Sequence, residues 1–284
     1  MESAKSPLRP QGPQSISRHS SSARIPSGVG TRRRVSCRGL LGWGLILGCL
    51  LGPSGLLAQD DTLRINTGVS EPYVTKDRTG FLDRLVAEAF RRAGKKARIN
   101  SYAGASARSL QMSDSGQDDG EALRIGGIEK KFQNLVPIPE SILDNQFVGY
   151  SIKNNFNTDG WASLQPYAVS YILGWQVFDR NVVGVKSVIK AKEPRQMFQL
   201  MEKGRVDVVL YERWQGLWWL KNLGIQANLL DPPLVQVKMF MYLHKKHAAL
   251  AKPVAAALAA MKRDGAYQEI HDQTLGVLVP VKRK

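Results

Sequence analysis

The stretch that decides the fold is residues 63–102, LRINTGVSEPYVTKDRTGFLDRLVAEAFRRAGKKARINSY. Its beginning, residues 63–69, alternates apolar and polar side chains and is followed by the turn-forming residues 70–72, which predicts a β-strand followed by a loop. From residue 81, apolar residues recur at helical spacing, and Gly94 stands where a C-capping glycine belongs. These apolar residues are Leu82, Leu85, Val86, Ala89, Phe90 and Ala93. A second strand is predicted at 96–102, so the stretch is a β–α–β unit with two parallel strands.

A second series of the same kind is predicted later in the chain. It consists of a strand at 168–173, a helix at 194–203 that begins with a proline, and a strand at 206–210. Two long extended segments, 135–151 and 234–243, connect the two series.

This order of segments predicts an α/β protein of two lobes, between which the chain crosses twice. Lobe 1 is expected to contain residues 59–147 and 244–284, and lobe 2 residues 148–243. Small ligands usually bind in concave sites such as the cleft that two lobes leave between them.

Residues 1–58 predict a disordered basic leader with a cleavable export signal. The basic run 31–34 precedes an uncharged run at 40–51, and Ala58 offers a small residue for cleavage. A transmembrane anchor is the alternative, but the apolar run has 12 residues, whereas crossing the bilayer takes about 20. Cys49 is placed as in a lipoprotein signal, yet the run continues past it, so lipid anchoring there is not expected.

Removal of the leader changes the charge and the redox chemistry of the protein. The whole chain has 40 basic and 24 acidic residues, a net charge of +16. The leader holds eight of the basic residues and one of the acidic ones. The rest of the chain therefore has 32 basic and 23 acidic residues, a net charge of +9. Both cysteines, Cys37 and Cys49, leave with it, so no disulfide is expected. The remaining lysines are scattered without interleaved aromatic residues, which argues against a nucleic-acid partner.

The sequence offers no recognisable catalytic or metal-binding motif. No Gly-x-Ser-x-Gly, phosphate-binding loop or Gly-x-Gly-x-x-Gly follows a predicted strand. His244, His247 and His271 are not accompanied by the cysteines or acidic residues of a zinc site. No cofactor, no metal and no enzymatic activity are therefore predicted. The chain is also expected to be a monomer.

The segments between residues 63 and 275 resemble a type II periplasmic solute-binding protein of the amino-acid-binding kind, the family 3 extracellular solute-binding proteins. Four phrases in the same order carry the resemblance: LRINTGVSEPY, TGFLDRLVAEAFRRAG, GRVDVVLYERW and LHKKHAALAKPVAAALAAMKRDGAYQEI. The resemblance implies two α/β lobes that close on a ligand by hinge motion. It also implies a periplasmic protein that captures a small zwitterionic or anionic solute for an ABC-type importer in the membrane, or for a sensor.

The resemblance also implies several ligand-binding positions. Tyr73 matches an aromatic residue that walls the ligand, although a tyrosine packed on its own lobe is equally compatible with the sequence. Glu212 matches the acidic residue that pairs with the ligand's ammonium group, and the alternative is a solvated glutamate beside Arg213. Gly174 and Trp175 match positions where backbone N–H groups hold a carboxylate.

One position departs from the family's pattern. Amino-acid binders usually carry a Thr-x-x-Arg motif whose arginine forks onto the ligand's carboxylate, whereas residues 126–131 of this chain read GGIEKK. Arg124 could supply a guanidinium from a different point, with Glu121 as its partner; the alternative is a pair that decorates the surface. Tyr211, next to Glu212, is a further candidate, either as a stacking surface or as part of the core.

Two other functions remain open from the sequence. The departure at 126–131 is compatible with a sensory or orphan binding domain that acts without transport. A few relatives of this fold are dehydratases, and in such an enzyme Glu121 or Glu212 would be the acid or base. An enzyme is expected to hold a buried carboxylate with a raised pKa in the cleft, and a binding protein to hold charged groups paired with fixed donors.

Overall fold

The computed structural model describes residues 61–279, so the predicted export signal and both cysteines lie outside the described residues. Its strands are β1 (Leu63–Thr67), β2 (Ala97–Ser101), β3 (Gly120–Ile125), β4 (Leu135–Pro137), β5 (Leu143–Ser151), β6 (Ala168–Ile172), β7 (Ser187–Ala191), β8 (Val208–Glu212) and β9 (Asn228–His244). Its α-helices are α1 (Phe81–Arg92), α2 (Ser106–Asp114), α3 (Gln176–Asn181), α4 (Pro194–Glu202), α5 (Arg213–Leu223), α6 (Ala251–Asp264) and α7 (Ala266–Thr274). Across 61–279, no helix has both the length and the apolar composition needed to cross a membrane.

The predicted β–α–β unit is confirmed. β1 and β2 are parallel, from Leu63 opposite Ala97 to Thr67 opposite Ser101. α1 connects them and buries its apolar face in the core. The helix begins after Gly80, whose N–H donates to the Asp83 carboxylate at 3.2 Å, so an acidic side chain in the first turn satisfies a backbone donor that has no partner within the helix.

The nine described strands form one sheet in the order β2-β1-β3-β9-β5-β8-β6-β7, with β4 also paired to β9. The two ends of the sheet, β2-β1-β3 and β8-β6-β7, are parallel blocks. Between them β5 runs antiparallel to β9, from Leu143 opposite Met239 to Ser151 opposite Asn228. These two strands carry the chain between the blocks in both directions, which confirms the predicted α/β fold with two crossover strands.

Each parallel block has its own apolar core. The core beside β1 includes Ile65, Phe81 and Leu258, and the cores beside β8 include Phe198 and Val169. The predicted lobe boundaries, 59–147 with 244–284 against 148–243, stay a prediction. At the end of the described chain, Leu278 packs in the core of the second block, beside α5.

The sequence did not predict α3 or β7. α3 has six residues, too few for a helical period to show. The first four residues of β7 are exposed, so its apolar side chains do not mark a buried face. β9 also begins at residue 228, earlier than the predicted start at 234, and its pairing with β5 shifts register between Phe147 and Gly149.

The helix after β8 is held close to β5 by a glycine. The Tyr150 hydroxyl donates to the Arg213 carbonyl at 2.5 Å, and the Tyr150 ring occupies the place where a Cβ of residue 216 would lie. Gly216 therefore allows α5 to sit directly on the tyrosine, which fixes the first turn of the helix relative to the sheet.

We expect Gly216→Ala to lower the melting temperature and to reduce the free energy of unfolding by about 1–3 kcal/mol, because the added methyl group overpacks the contact with Tyr150. The result would be diagnostic, since alanine in a helix interior is ordinarily the more stable residue. Thermal and urea unfolding followed by circular dichroism measures the change. Lys221→Ala, at an exposed position of the same helix, serves as the control and should stay within about 0.5 kcal/mol. Equal stability of Gly216→Ala and the unmodified protein would contradict the packing.

Candidate ligand site

A cavity of about 300 Å³ lies where the two blocks face each other. Its wall comes from the end of β1 and the loop after it, from β3, from β5 and β9, and from the residues that open α3 and α5. Ligand sites of small molecules occupy about 300–1,000 Å³, so the cavity suits a single small molecule. Of the seven predicted site residues, Tyr73, Arg124, Trp175 and Glu212 line it.

Glu212 ends β8 and caps the N-terminus of α5. Its Oε2 accepts from the Gln215 N–H at 2.9 Å, and its Oε1 accepts from the Trp214 N–H at 3.1 Å. The Tyr73 hydroxyl donates to Oε1 at 2.9 Å. Because unpaired N–H groups at a helix N-terminus favour an acceptor with negative charge, the strand-to-helix turn itself places this carboxylate at the cavity.

The interpretation of Glu212 as a solvated residue is wrong. The residue is 2% exposed, and Arg213, its expected surface partner, pairs with Asp231 instead. Burial raises the pKa of the Glu212 carboxyl from 4.5 to about 7, although the N–H donors of Gln215 and Trp214 and the hydroxyl of Tyr73 favour the ionised form. The same burial, with the charge of Glu212 beside it, raises the pKa of Tyr73 well above 10, so Tyr73 remains a proton donor to Glu212.

Arg124 reaches the cavity through an irregularity of β3. The pairing of β3 with β9 shifts register between Glu121 and Arg124, and Leu123 has a φ of +64°, a conformation that a branched side chain adopts only under constraint. Bulges of this kind redirect a side chain next to functional sites. Here Leu123 and Arg124 both line the cavity.

The guanidinium of Arg124 is held by fixed acceptors. Its Nε donates to Glu121 Oε1 at 2.6 Å, and its Nη atoms donate to the hydroxyl and the carbonyl of Ser106 at 2.7 and 2.8 Å. Glu121 is fully buried, which overturns the interpretation of this pair as surface decoration. Glu121 is not part of the cavity wall; it lies behind Arg124 and orients it.

A buried polar network supports Glu121 from the other side. The Ser109 hydroxyl lies within hydrogen-bond distance of Glu121 Oε2 and of Asn66 Oδ1, the latter at 3.0 Å, and shares its one proton between these two acceptors. The Asn66 amide in turn donates to Asp118 at 3.0 Å. Burial raises the pKa of the Glu121 carboxyl to about 7, opposed by the charge of Arg124 and the hydroxyl of Ser109. Because every member has partners, the network can fix the guanidinium rigidly.

The remaining predicted residues surround Trp175. Tyr211 is buried and stacks on Trp175, with ring centroids 4.7 Å apart, so it supports the wall without lining it. Gly174 does not line the cavity either; its φ of +84° turns the chain just before Trp175 and the start of α3. That these seven residues bind a ligand stays a prediction.

Several residues of the wall were not predicted from the sequence. They include Thr67, Ser106, Asn145, Phe147, Gln176 and Gln215. Asn145 and Phe147 are alternate residues of β5, and only the alternation of that strand could have pointed to them. Among the described residues, no group of three histidine, cysteine or acidic side chains is placed to hold a metal ion.

The chain is similar to an uncharacterized protein of Shewanella oneidensis, with 25% identity over 174 residues. That match covers 58% of this chain and 66% of the relative, slightly less than two thirds of the relative's length. No family model matches the chain.

The structure is similar to solved structures of binding proteins. An ancestral arginine-binding protein bound to glutamine has 20% identity and a TM-score of 0.58, over 77% of this chain and 99% of that one. A probable amino-acid ABC transporter extracellular-binding protein from Bacillus subtilis has 15% identity and a TM-score of 0.64, over 76% of this chain and 97% of that one. At these identities the likeness shows the fold alone.

We expect Tyr73→Phe to destabilise the protein by about 1.5–3 kcal/mol, because a buried carboxylate loses one of its donors. The folded-state pKa of Glu212, about 7, lies above its ordinary value of 4.5, so the free energy of unfolding falls as the pH rises between these values. The destabilisation by Tyr73→Phe should therefore be larger at pH 8, where Glu212 is ionised, than at pH 5.5.

Urea unfolding at the two pH values measures this difference. Tyr167→Phe is the matched control, because the Tyr167 ring stacks on Phe156 with centroids 4.4 Å apart, and its hydroxyl has no hydrogen bond to a carboxylate among the described residues. A loss at Tyr73 that is the same at both pH values would contradict the coupling to Glu212.

Proposed function

We propose that this chain, which has the two-lobe fold of the type II periplasmic solute-binding proteins, captures a small amino-acid-like solute in the cavity between its lobes. The observation that carries the proposal is the pair of charged residues in the wall. Among the residues that line the cavity, Glu212 and Arg124 are the two with charged side chains, and they have opposite signs. A zwitterion presents the complementary pair of charges within one small molecule.

Glu212 is suited to bind the ammonium group. A carboxylate offers about four lone-pair positions, and three are taken by Trp214, Gln215 and Tyr73. The position that remains is on Oε2, which has one partner in the protein. An ammonium N–H that donates to this position fills the last acceptor site of the carboxylate. It also supplies a positive charge next to a buried negative one.

Arg124 is suited to bind the carboxylate group. A guanidinium has five N–H donors, and the structure assigns three of them to Glu121 and Ser106. One N–H on each Nη atom is left, and these charged donors are available to the oxygens of a carboxylate. The arginine fork of amino-acid binders would thus be supplied here by the bulge in β3, although residues 126–131 lack the usual motif.

A receptor without catalytic activity agrees best with how Glu212 is held. Its raised pKa of about 7 favours a dehydratase-like enzyme, because a general acid or base works best with a pKa near the working pH. Its three donors, however, come from two backbone N–H groups and a buried tyrosine, which fix the carboxylate as an acceptor. Proton nuclear magnetic resonance of a bound ligand over several hours distinguishes the two: a binder returns it unchanged.

The predicted leader supports a function outside the cytoplasm. We propose that the leader is cleaved after export and that the protein delivers its solute to an importer of the ABC class in the membrane. The name of the similar Bacillus subtilis protein, an amino-acid ABC transporter extracellular-binding protein, supports this choice. A sensory domain that binds the same solute without transport is the alternative, and loss of solute uptake on deletion of the gene would separate the two.

We expect isothermal titration of the purified protein with amino acids, small carboxylates and polyamines to find a ligand that carries both an ammonium and a carboxylate group. Glu212→Gln and Arg124→Gln should each weaken its binding about 30-fold or more, because each leaves a charged ligand group buried without its partner. Glu202→Gln and Arg180→Gln change exposed residues and should bind the ligand as the unmodified protein does. A ligand bound equally well by all four variants would exclude this cavity as its site.

A further inference from the structure

We propose that Gln215 is a specificity-determining residue of the cavity, and that it selects an α-amino acid whose side chain ends in a carboxamide. This inference rests on the proposed function and names the solute class for the same site. It is carried by an accessible amide without a partner, by the position of that amide beside Glu212, and by the charge balance of the wall.

The side-chain amide of Gln215 lies in the cavity wall without a partner. Gln215 is 8% exposed and lines the cavity, and its amide makes no hydrogen bond to a described residue. In the described chain, the unpaired side-chain atoms that are closed off from solvent belong to Asn145 and Arg213. The amide of Gln215 therefore keeps surface that a ligand in the cavity can reach. Polar groups of buried residues are nearly always paired, and such a ligand would supply the partner.

The start of α5 holds the backbone of Gln215 in place and leaves its amide free. Gln215 is the third residue of the helix, a position from which a glutamine side chain often turns back to the N–H of the capping residue. In α5 that return bond is not made. The backbone N–H of Gln215 donates to Glu212 at 2.9 Å, and the next residue, Gly216, rests on Tyr150. A fixed backbone with a free amide suits the recognition of a ligand.

Gln215 and a bound ligand would start from the same oxygen atom. The N–H of Gln215 donates to Oε2 of Glu212, and the proposed ammonium group of the ligand donates to the same Oε2. In both molecules the α-carbon and the side chain follow directly after this nitrogen. A glutamine ligand therefore carries a side chain of equal length beside that of Gln215. Because each carboxamide both donates and accepts, the two can form a pair of hydrogen bonds.

The charge balance of the wall favours a ligand side chain that is polar but uncharged. The ammonium and the carboxylate of an α-amino acid use Glu212 and Arg124, which are the charged residues of the wall. Glu121 is not available, because it lies behind Arg124 and is bonded to it. A third charge, as on glutamate or arginine, would be buried without a counter-charge, which is strongly unfavourable. A carboxamide meets the amide of Gln215 without adding a charge.

Gln215 is better placed for this role than the two other carboxamides of the wall, Asn145 and Gln176. The side-chain oxygen of Asn145 is closed off from the cavity, so that residue cannot accept a hydrogen bond from a ligand. Gln176 is exposed, and water can satisfy its amide in the absence of a ligand. The amide of Gln215 combines a buried residue with an accessible donor and acceptor. Its pairing with a ligand therefore discriminates most strongly.

Titration calorimetry with three ligands of the same shape tests the solute class. Glutamine carries the carboxamide, homoleucine replaces it with an isopropyl group, and glutamate replaces it with a carboxylate. We expect glutamine to bind at least about 10-fold more tightly than either analogue, because one leaves the amide of Gln215 unpaired and the other buries a third charge. Equal or tighter binding of either analogue would overturn the inference and leave the proposed function standing. No binding by any amino acid, carboxylate or polyamine of the wider panel would overturn both.

Substitution of Gln215 tests the residue itself. Gln215→Met keeps the length of the side chain and removes the amide, so it should weaken glutamine binding about 10-fold or more and leave homoleucine binding equal or tighter. Gln196→Met is the matched control, because Gln196 is the third residue of α4, also follows a capping glutamate, and is exposed. The control should bind glutamine as the unmodified protein does. Undiminished glutamine binding by Gln215→Met would overturn the inference.

The comparison of the two ligands and the melting temperature separate this role from a structural one. Because the amide of Gln215 has no partner in the protein to lose, Gln215→Met should melt at the same or a higher temperature than the unmodified protein in the absence of ligand. An equal loss of glutamine and homoleucine binding would overturn the inference, because it would show that the residue shapes the whole site. A marked fall in the melting temperature would overturn it as well, because it would show that the fold needs the amide.

Discussion

The buried carboxylate of Glu212 is the interaction on which the site depends. It accepts two N–H groups of the first turn of α5 and the hydroxyl of Tyr73, so one side chain joins the end of β8, the start of a helix and the loop that follows β1. A charge in this position is tolerated only because donors surround it. The same donors fix its orientation, and they leave one direction of the carboxylate for a ligand.

The antiparallel pair of β5 and β9 makes this meeting of elements possible. Parallel β–α–β units place the carboxyl ends of their strands at one edge, and each block of the sheet does so separately. The crossing strands hold the two edges toward each other and contribute Asn145 and Phe147 to the wall between them. Geometry at the cavity thus arises from long-range strand pairing as much as from either block alone.

How far the sequence determined this outcome can be seen at particular residues. The β–α–β unit and the position of Glu212 were predictable because their signals are local: helical periodicity, a glycine stop, and an acidic residue directly after an apolar strand. The bulge at Leu123 brings Arg124 to the cavity with Glu121 behind it. No local sequence pattern predicts this bulge. Only the alternation of β5 could have pointed to Asn145, since its place in the wall follows from the pairing of β5 with two strands that come much later in the chain.

The edge strand of the second block, β7, exposes apolar residues with lysines beside them. β7 is the last strand of the sheet, and Val188 and Ile189 on it are 39% and 37% exposed. An edge of this kind can pair with the same edge of another molecule and begin aggregation. Lys186 and Lys192, both exposed, flank the two residues, so two molecules that approach edge to edge bring like charges together. The positive charge of these lysines therefore acts at this edge as a barrier against self-association.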